Sequence, residues 1–142
     1  MLFCKEDIQA KNATRPALWQ SIIRDDNKNR YVIEVDNKVV GFMHVDEPRD
    51  YFNDIDNSFY ELHGIYLHPD YYRRGIGTKA MAFALDKARA MGKKIMILWV
   101  FIENYNSISF YKKCGFEVDG VTMVHAYGKE VVSGRMKRDL FK

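Results

Sequence analysis

Residues 59–78, FYELHGIYLHPDYYRRGIGT, decide how the rest of the chain is read. Phe59 to Leu67 is rich in β-forming residues and predicts a strand that ends before Pro69. Gly64 lies inside it, where a glycine often marks a bulge or the close approach of another backbone or a ligand. Arg73-Arg74-Gly75-Ile76-Gly77-Thr78 then leads into a helix over Ile76 to Met91, whose apolar stripe runs through Ile76, Ala80, Phe83 or Ala84, Leu85 and Ala88. Gly92 suits the position just past its end. A glycine loop at a helix start offers unpaired N–H groups and a favourable dipole to an anion.

That loop has several readings. It can be a turn that merely starts a helix. Gly75, Gly77 and Ala80 satisfy Gly-x-Gly-x-x-Ala, with Glu103 further on, but seven residues including Pro69 separate the strand from the first glycine, which a dinucleotide fold does not allow. Gly77-Thr78-Lys79 reverses the order a nucleoside-triphosphate loop needs. A phosphate of another kind of ligand stays open.

Working outward, Lys94 to Phe101 is apolar almost throughout, as in a strand covered on both faces. Ser107 to Cys114 reads as a short helix closed by Gly115. Phe116 to Tyr127 and Glu130 to Arg138 read as a closing hairpin around Gly128-Lys129. Upstream, Tyr31 to Val35 and Val39 to Val45 form a hairpin through Asp36-Asn37-Lys38. Glu6 to Arg24 has roughly helical spacing, split at Pro16. The order is that of a mixed α/β domain spanning 1–142, with one strand-helix-strand crossover at its centre.

Composition narrows the function classes. With 142 residues, 47% of them hydrophobic, the chain can bury one sizeable core. The longest apolar run, Ile95 to Ile102, falls short of the ~20 residues of a membrane helix, and no secretory signal pattern opens the chain. Cys4 and Cys114 suggest neither a disulfide framework nor a zinc cage, which fits a reducing cytoplasm. The +3 net charge, 22 basic against 19 acidic residues, is mild for a nucleic-acid binder. Lys129, Arg135, Lys137 and Arg138 would be spread over both faces of a strand. His44, His68 and His125 lack metal-ligand spacing, so no metal is expected.

Two motifs carry a family resemblance. Leu67 to Gly77, with Pro69 ahead of Tyr72-Arg73-Arg74-Gly75-Ile76-Gly77, resembles the acetyl-CoA loop of GNAT N-acetyltransferases, Gln/Arg-x-x-Gly-x-Gly/Ala, with Tyr72 at the usual Gln/Arg position. Asn104-Tyr105-Asn106-Ser107-Ile108-Ser109-Phe110-Tyr111-Lys112-Lys113-Cys114-Gly115-Phe116 is similar to the family's Asn-x-x-Ala/Ser-x-x-Phe-Tyr-x-Lys-x-Gly-Phe segment. The likeness runs from Val32 to Leu140, and at most Met1 to Cys4 is left for the family's opening strand.

The resemblance implies a central mixed, mostly antiparallel twisted sheet flanked by helices, with a splayed pair of parallel strands holding acetyl-CoA. It implies an N-acetyltransferase acting on a primary amine of a small molecule or peptide. The runner-up is a non-catalytic acyl-CoA-binding or regulatory module. The backbone of Ile65, Tyr66 and Leu67 would pair with the pantetheine arm. Arg73, Arg74, Gly75, Ile76, Gly77 and Thr78 would hold the pyrophosphate, and Asn104 would hydrogen-bond the arm or cap a helix. Tyr111 would be the general acid, or half of an aromatic core pair with Phe110. Glu61 would be the base, with His63 as rival or partner on the same strand face, or a solvated surface carboxylate. The acidic segment Asp46 to Asp56 would attract a cationic acceptor or be a solvated loop. Tyr51, Phe52, Phe59 and Tyr60 would line that pocket or join the core. Edge strands of the closing hairpin are compatible with a homodimer.

Overall fold

The computed structural model describes residues 2–3, 29–49, 52–126 and 129–142. The helices expected over Glu6 to Arg24, together with Cys4, Asp50, Tyr51, Tyr127 and Gly128, lie outside the described residues. The strands are β1 (Leu2–Phe3), β2 (Arg30–Val35), β3 (Lys38–Asp46), β4 (Phe59–Leu67), β5 (Ile95–Phe101), β6 (Glu117–Ala126) and β7 (Glu130–Asp139). Two α-helices occur among the described residues, α1 (Ile76–Ala90) and α2 (Tyr105–Lys113), with a 3-10 turn at Pro69–Tyr71.

The strands form one sheet in the order β1-β2-β3-β4-β5-β7-β6. Every pairing is antiparallel except β4 with β5. The expected mixed, mostly antiparallel sheet with one parallel pair is therefore observed. The opening strand is present and short, pairing Leu2 with Ile33 and Phe3 with Val32.

Local chemistry explains the pieces. Asp36 and Asn37 both have positive φ, 51° and 64°, as a two-residue hairpin turn that matches strand twist requires. In α1 the buried residues Ile76, Ala80, Met81, Ala84, Leu85 and Ala88 form one stripe. Its alanines let the helix lie close to the sheet, while Phe83 remains at the surface, edge-on to Tyr31. Strand β5 buries Met96, Ile97, Leu98 and Val100, so side chains pointing both ways are covered. Phe59 and Tyr60 are core residues rather than pocket lining.

Strand β4 changes phase midway. His44 pairs with Gly64 and Val45 with Leu62, leaving His63 as an extra residue in a bulge. Tyr60 and Leu62 face the core before it, and Ile65 and Leu67 pack against the core after it. The bulge announced by a strand glycine is thus one residue ahead of Gly64.

Pairing between β4 and β5 runs from Phe59↔Ile95 to Leu62↔Leu98 and stops. Beyond that point β4 stays tied to β3 through Leu67, and β5 stays tied to β7 through Phe101. The two strands part, and a gap opens between them.

Candidate active site

The gap is the mouth of a cleft of about 520 Å³. Gly64 and Ile65 line it from β4, Trp99 to Phe101 from β5, and Asn104, Ser107 and Tyr111 from the α2 segment. Arg49, Glu61, Met123, His125 and Ser133 complete the wall. His68 N–H donates to the Val40 carbonyl of β3. By the alternation of a ladder, the N–H groups of Ile65 and Leu67 point the other way, into the gap.

Glu61 is not a solvated carboxylate: its side chain is 1% exposed. The loop after β3 covers it. The Arg49 backbone N–H donates to Glu61 Oε1 at 3.1 Å, and the Arg49 guanidinium lies 3.6 Å from Oε2. His63 Nδ1 approaches Oε2 to 3.7 Å.

Tyr111 has both of its expected roles available, since it faces the cleft and packs in an aromatic chain. Its ring lies 5.6 Å from Phe110 and 6.2 Å, edge-on, from Phe116. Burial, with a smaller contribution from Cys114, pushes its phenol above the ordinary tyrosine pKa. Asn104 likewise does two things. Its Oδ1 accepts the Ser107 N–H at 3.2 Å as the N-cap of α2, and the residue lines the cleft.

The glycine loop forms a separate group. Gly75 caps α1 in the left-handed region, φ 75°, where a side chain would be strained. Gly77 has a different reason. A Cβ there would come within 3.2 Å of the Phe110 ring, so its bare Cα lets α2 pack close. The first-turn N–H groups of Ile76, Gly77 and Thr78 precede the first intrahelical bond, Lys79 N to Gly75 O. Tyr72, Arg73 and Arg74 are all exposed, and the Arg74 guanidinium sits 5.0 Å above the Tyr71 ring. Thr78 borders a smaller hollow of about 290 Å³ with Lys113, Cys114 and Arg138. Of the residues singled out from sequence, Glu61, Ile65, Asn104 and Tyr111 therefore converge on one cleft. Arg73 to Thr78 gather at the start of α1, Leu67 packs on the core, and Tyr66 is an exposed ring stacked on Phe42 at 5.7 Å.

Among the described residues, the acidic segment is partly paired. Glu47 is paired with Lys93 at 2.9 Å, Asp54 is held by both terminal nitrogens of Arg135, and Asp56 accepts from the Ser58 backbone and hydroxyl. Asp46 lies 3.7 Å from His44. Arg135 is itself buried and also grips Asp119 at 2.6 Å, so it is an internal tie rather than part of a basic surface. Arg49, Trp99, Met123 and His125 were not singled out from sequence as cleft residues. Arg49 had one available signal, as the lone cation of an acidic loop. Among the described residues no cluster of His, Cys, Asp and Glu could hold a metal, and no helix is long and apolar enough to cross a membrane.

Comparison with known proteins adds the following. Residues 2–116 match the model of the acetyltransferase (GNAT) family. An uncharacterized N-acetyltransferase of Methanocaldococcus jannaschii is 35% identical over 117 residues, 82% of this chain and 46% of that protein. The chain spans about half the length of the curated relatives it matches, 46% and 49% in two cases. Among solved structures, Ard1 of Thermoplasma volcanium superposes with a TM-score of 0.75 at 21% identity, covering 100% of this chain and 98% of that one. A Salmonella typhimurium protein solved with its cofactor acetyl-CoA gives 0.69 at 20% identity, covering 100% and 94%. At these identities the likeness concerns the fold.

Proposed function

The chain belongs to the GNAT acetyltransferase family, and on that premise we propose that it transfers an acetyl group from acetyl-CoA to a primary amine by direct attack. One observation carries the reading: β4 and β5 part into a cleft whose wall holds both a buried carboxylate, Glu61, and a phenol, Tyr111.

The residues present fit acetyl-CoA. The outward N–H groups of Ile65 and Leu67 are suited to an extended pantetheine arm added beside β4, with Tyr66 between them. Open space at Gly64 leaves room for it. The first turn of α1, with Gly75, Ile76, Gly77, Thr78 and the exposed Arg73, suits the pyrophosphate, with Arg74 adding nearby charge. Acetyl-CoA supplies an activated thioester. The Ile65 N–H would donate to the acetyl carbonyl oxygen, where negative charge develops. Asn104, with Oδ1 committed to the helix cap, keeps its Nδ2 hydrogens for the arm.

Glu61 would take a proton from the incoming ammonium, directly or through one water, freeing the nitrogen lone pair. Tyr111 would give its phenolic proton to the departing thiolate. Its raised pKa keeps it protonated at neutral pH. The acceptor is a small-molecule or peptide amine. Because Glu47 and Asp54 of the Asp46–Asp56 segment are paired with Lys93 and Arg135, those two carboxylates are not free to hold a polycation.

Thiol release from acetyl-CoA, followed with polyamines, aminoglycosides, amino acids and lysine peptides in turn, tests this reading. Amine-dependent release on one class is the expected result. Acetyl-CoA binding without release on any amine would point instead to the non-catalytic acyl-CoA module.

A further inference from the structure

Glu61 and Arg49 bring opposite charges to the cleft, and they are built differently. The Glu61 side chain is 1% exposed and already engaged, with the Arg49 N–H on Oε1 and the Arg49 guanidinium 3.6 Å from Oε2. The Arg49 side chain is 66% exposed. Within the protein only its Nη2 has company, and both contacts are long, 3.6 Å to Glu61 and 3.5 Å to the His63 carbonyl oxygen. Among the described residues nothing accepts from Nη1 or Nε. A guanidinium held at one nitrogen, with the rest of its fork open, is set to receive a planar anion.

The loop that carries Arg49 is tied down on both sides of it. Before it, the Glu47 carboxylate is bound to Lys93 at 2.9 Å, and the Glu47 carbonyl oxygen lies 2.8 Å from His63 Nε2. After it, Asp54 is gripped by Arg135 of β7. The Arg49 backbone itself is fixed by its N–H to Glu61. Among the described residues lining the cleft, Arg49 is the only lysine or arginine, and Trp99, Phe101 and Met123 give the same cleft an apolar wall.

We propose that the acceptor is a small amine carrying its own carboxylate, an amino acid with an apolar side chain being the simplest member, and that Arg49 selects it. This rests on acetyl transfer in this cleft and names the acceptor class. The carboxylate lies on the open side of the Arg49 fork, the ammonium beside Glu61, and the side chain against the apolar wall. Guanidinium and Glu61 carboxylate are 3.6 Å apart, so the two subsites adjoin, and a compact zwitterion spans them with each charge next to its opposite. A polyamine or aminoglycoside fits less well, because it brings further ammonium groups to Arg49 and no anion. An amine without a carboxylate leaves the fork to water. Solvent screens the exposed guanidinium, so the selection is moderate.

Thiol release with leucine, methionine and phenylalanine, each against its carboxamide, tests this in wild type, Arg49→Gln and Arg49→Lys. The readout is the ratio of kcat/KM for amino acid over carboxamide. Comparing that ratio between proteins cancels both the different amine basicity of the two substrates and any effect of Arg49 on Glu61. The ratio should fall about 10–100-fold in Arg49→Gln and recover in part in Arg49→Lys, which keeps the charge without the fork. An unchanged ratio would overturn the proposal while leaving acetyl transfer intact. A leucyl-glutamate peptide turned over faster than leucine would move the carboxylate to a peptide and overturn the small-molecule acceptor. A binding arm needs no turnover. By calorimetry on the CoA-loaded protein, N-acetylleucine should bind about 10-fold tighter than N-acetylleucinamide, and Arg49→Gln should lose the difference. Equal binding of the two, or binding of neither, would refute the carboxylate site. That discrimination without release on any amine would keep the site and remove the transfer.

Discussion

The two halves of the parallel strand pair are built to opposite ends. Over Phe59–Leu62 and Ile95–Leu98 the ladder is closed, and the side chains are buried or nearly so. Over Gly64–Leu67 and Trp99–Phe101 the ladder is absent, and the lining is mixed, with glycine, indole, amide and phenol around open space. Each strand keeps one neighbour throughout, so the sheet survives the opening. The difference shows where stability and chemistry are divided. The closed half excludes water, and the open half keeps backbone N–H groups that call for a partner.

Four changes would break or sharpen that contrast. In the closed half, Leu98→Ala removes a fully buried side chain and should destabilise by about 2–5 kcal/mol, read by denaturant unfolding, with turnover per folded molecule nearly unchanged. At the boundary, Glu61→Gln keeps shape and should slow amine-dependent thiol release about 10²-fold with little change in melting temperature. At the open end, Gly75→Val places a branched side chain at φ 75° and should weaken acetyl-CoA binding by about 1–3 kcal/mol in calorimetry. The smallest effect is on pH. Burial raises the Tyr111 pKa, and the protonated phenol is the active form. Activity should thus hold up to the ordinary tyrosine value, about pH 10, and fall only above it in a kcat profile. A Tyr111-dependent loss that begins below that value would contradict its burial.

Much of the closed half was legible in the sequence, because it follows from pattern. The β4 span, the α1 stripe and the apolar run of β5 are read from periodicity alone, and two motifs carried the family. The open half was legible only in outline. Alternation places Glu61 and His63 on one face, yet burial of that face depends on a loop whose Arg49 folds back over it. The bulge at His63 was signalled by Gly64, but its register is set by pairing with His44 and Val45. The acidic loop was open to two readings for a similar reason. The partner of Asp54 is Arg135, 81 residues away, and the partner of Glu47 is Lys93, so a local charge count could not see these two pairings. Gly77 fits a phosphate motif by spacing, and its bare Cα also lets Phe110 pack close, a contact that spacing could not show.

The most direct test compares wild type with Tyr111→Phe in two readings on the same samples, calorimetric binding of acetyl-CoA and amine-dependent thiol release. Acetyl-CoA binding should be equal in both proteins and release should drop about 10²–10⁴-fold in the variant. Equal release from the two proteins, or no acetyl-CoA binding by either, would contradict the assignment of this cleft as an acetyl-transfer site.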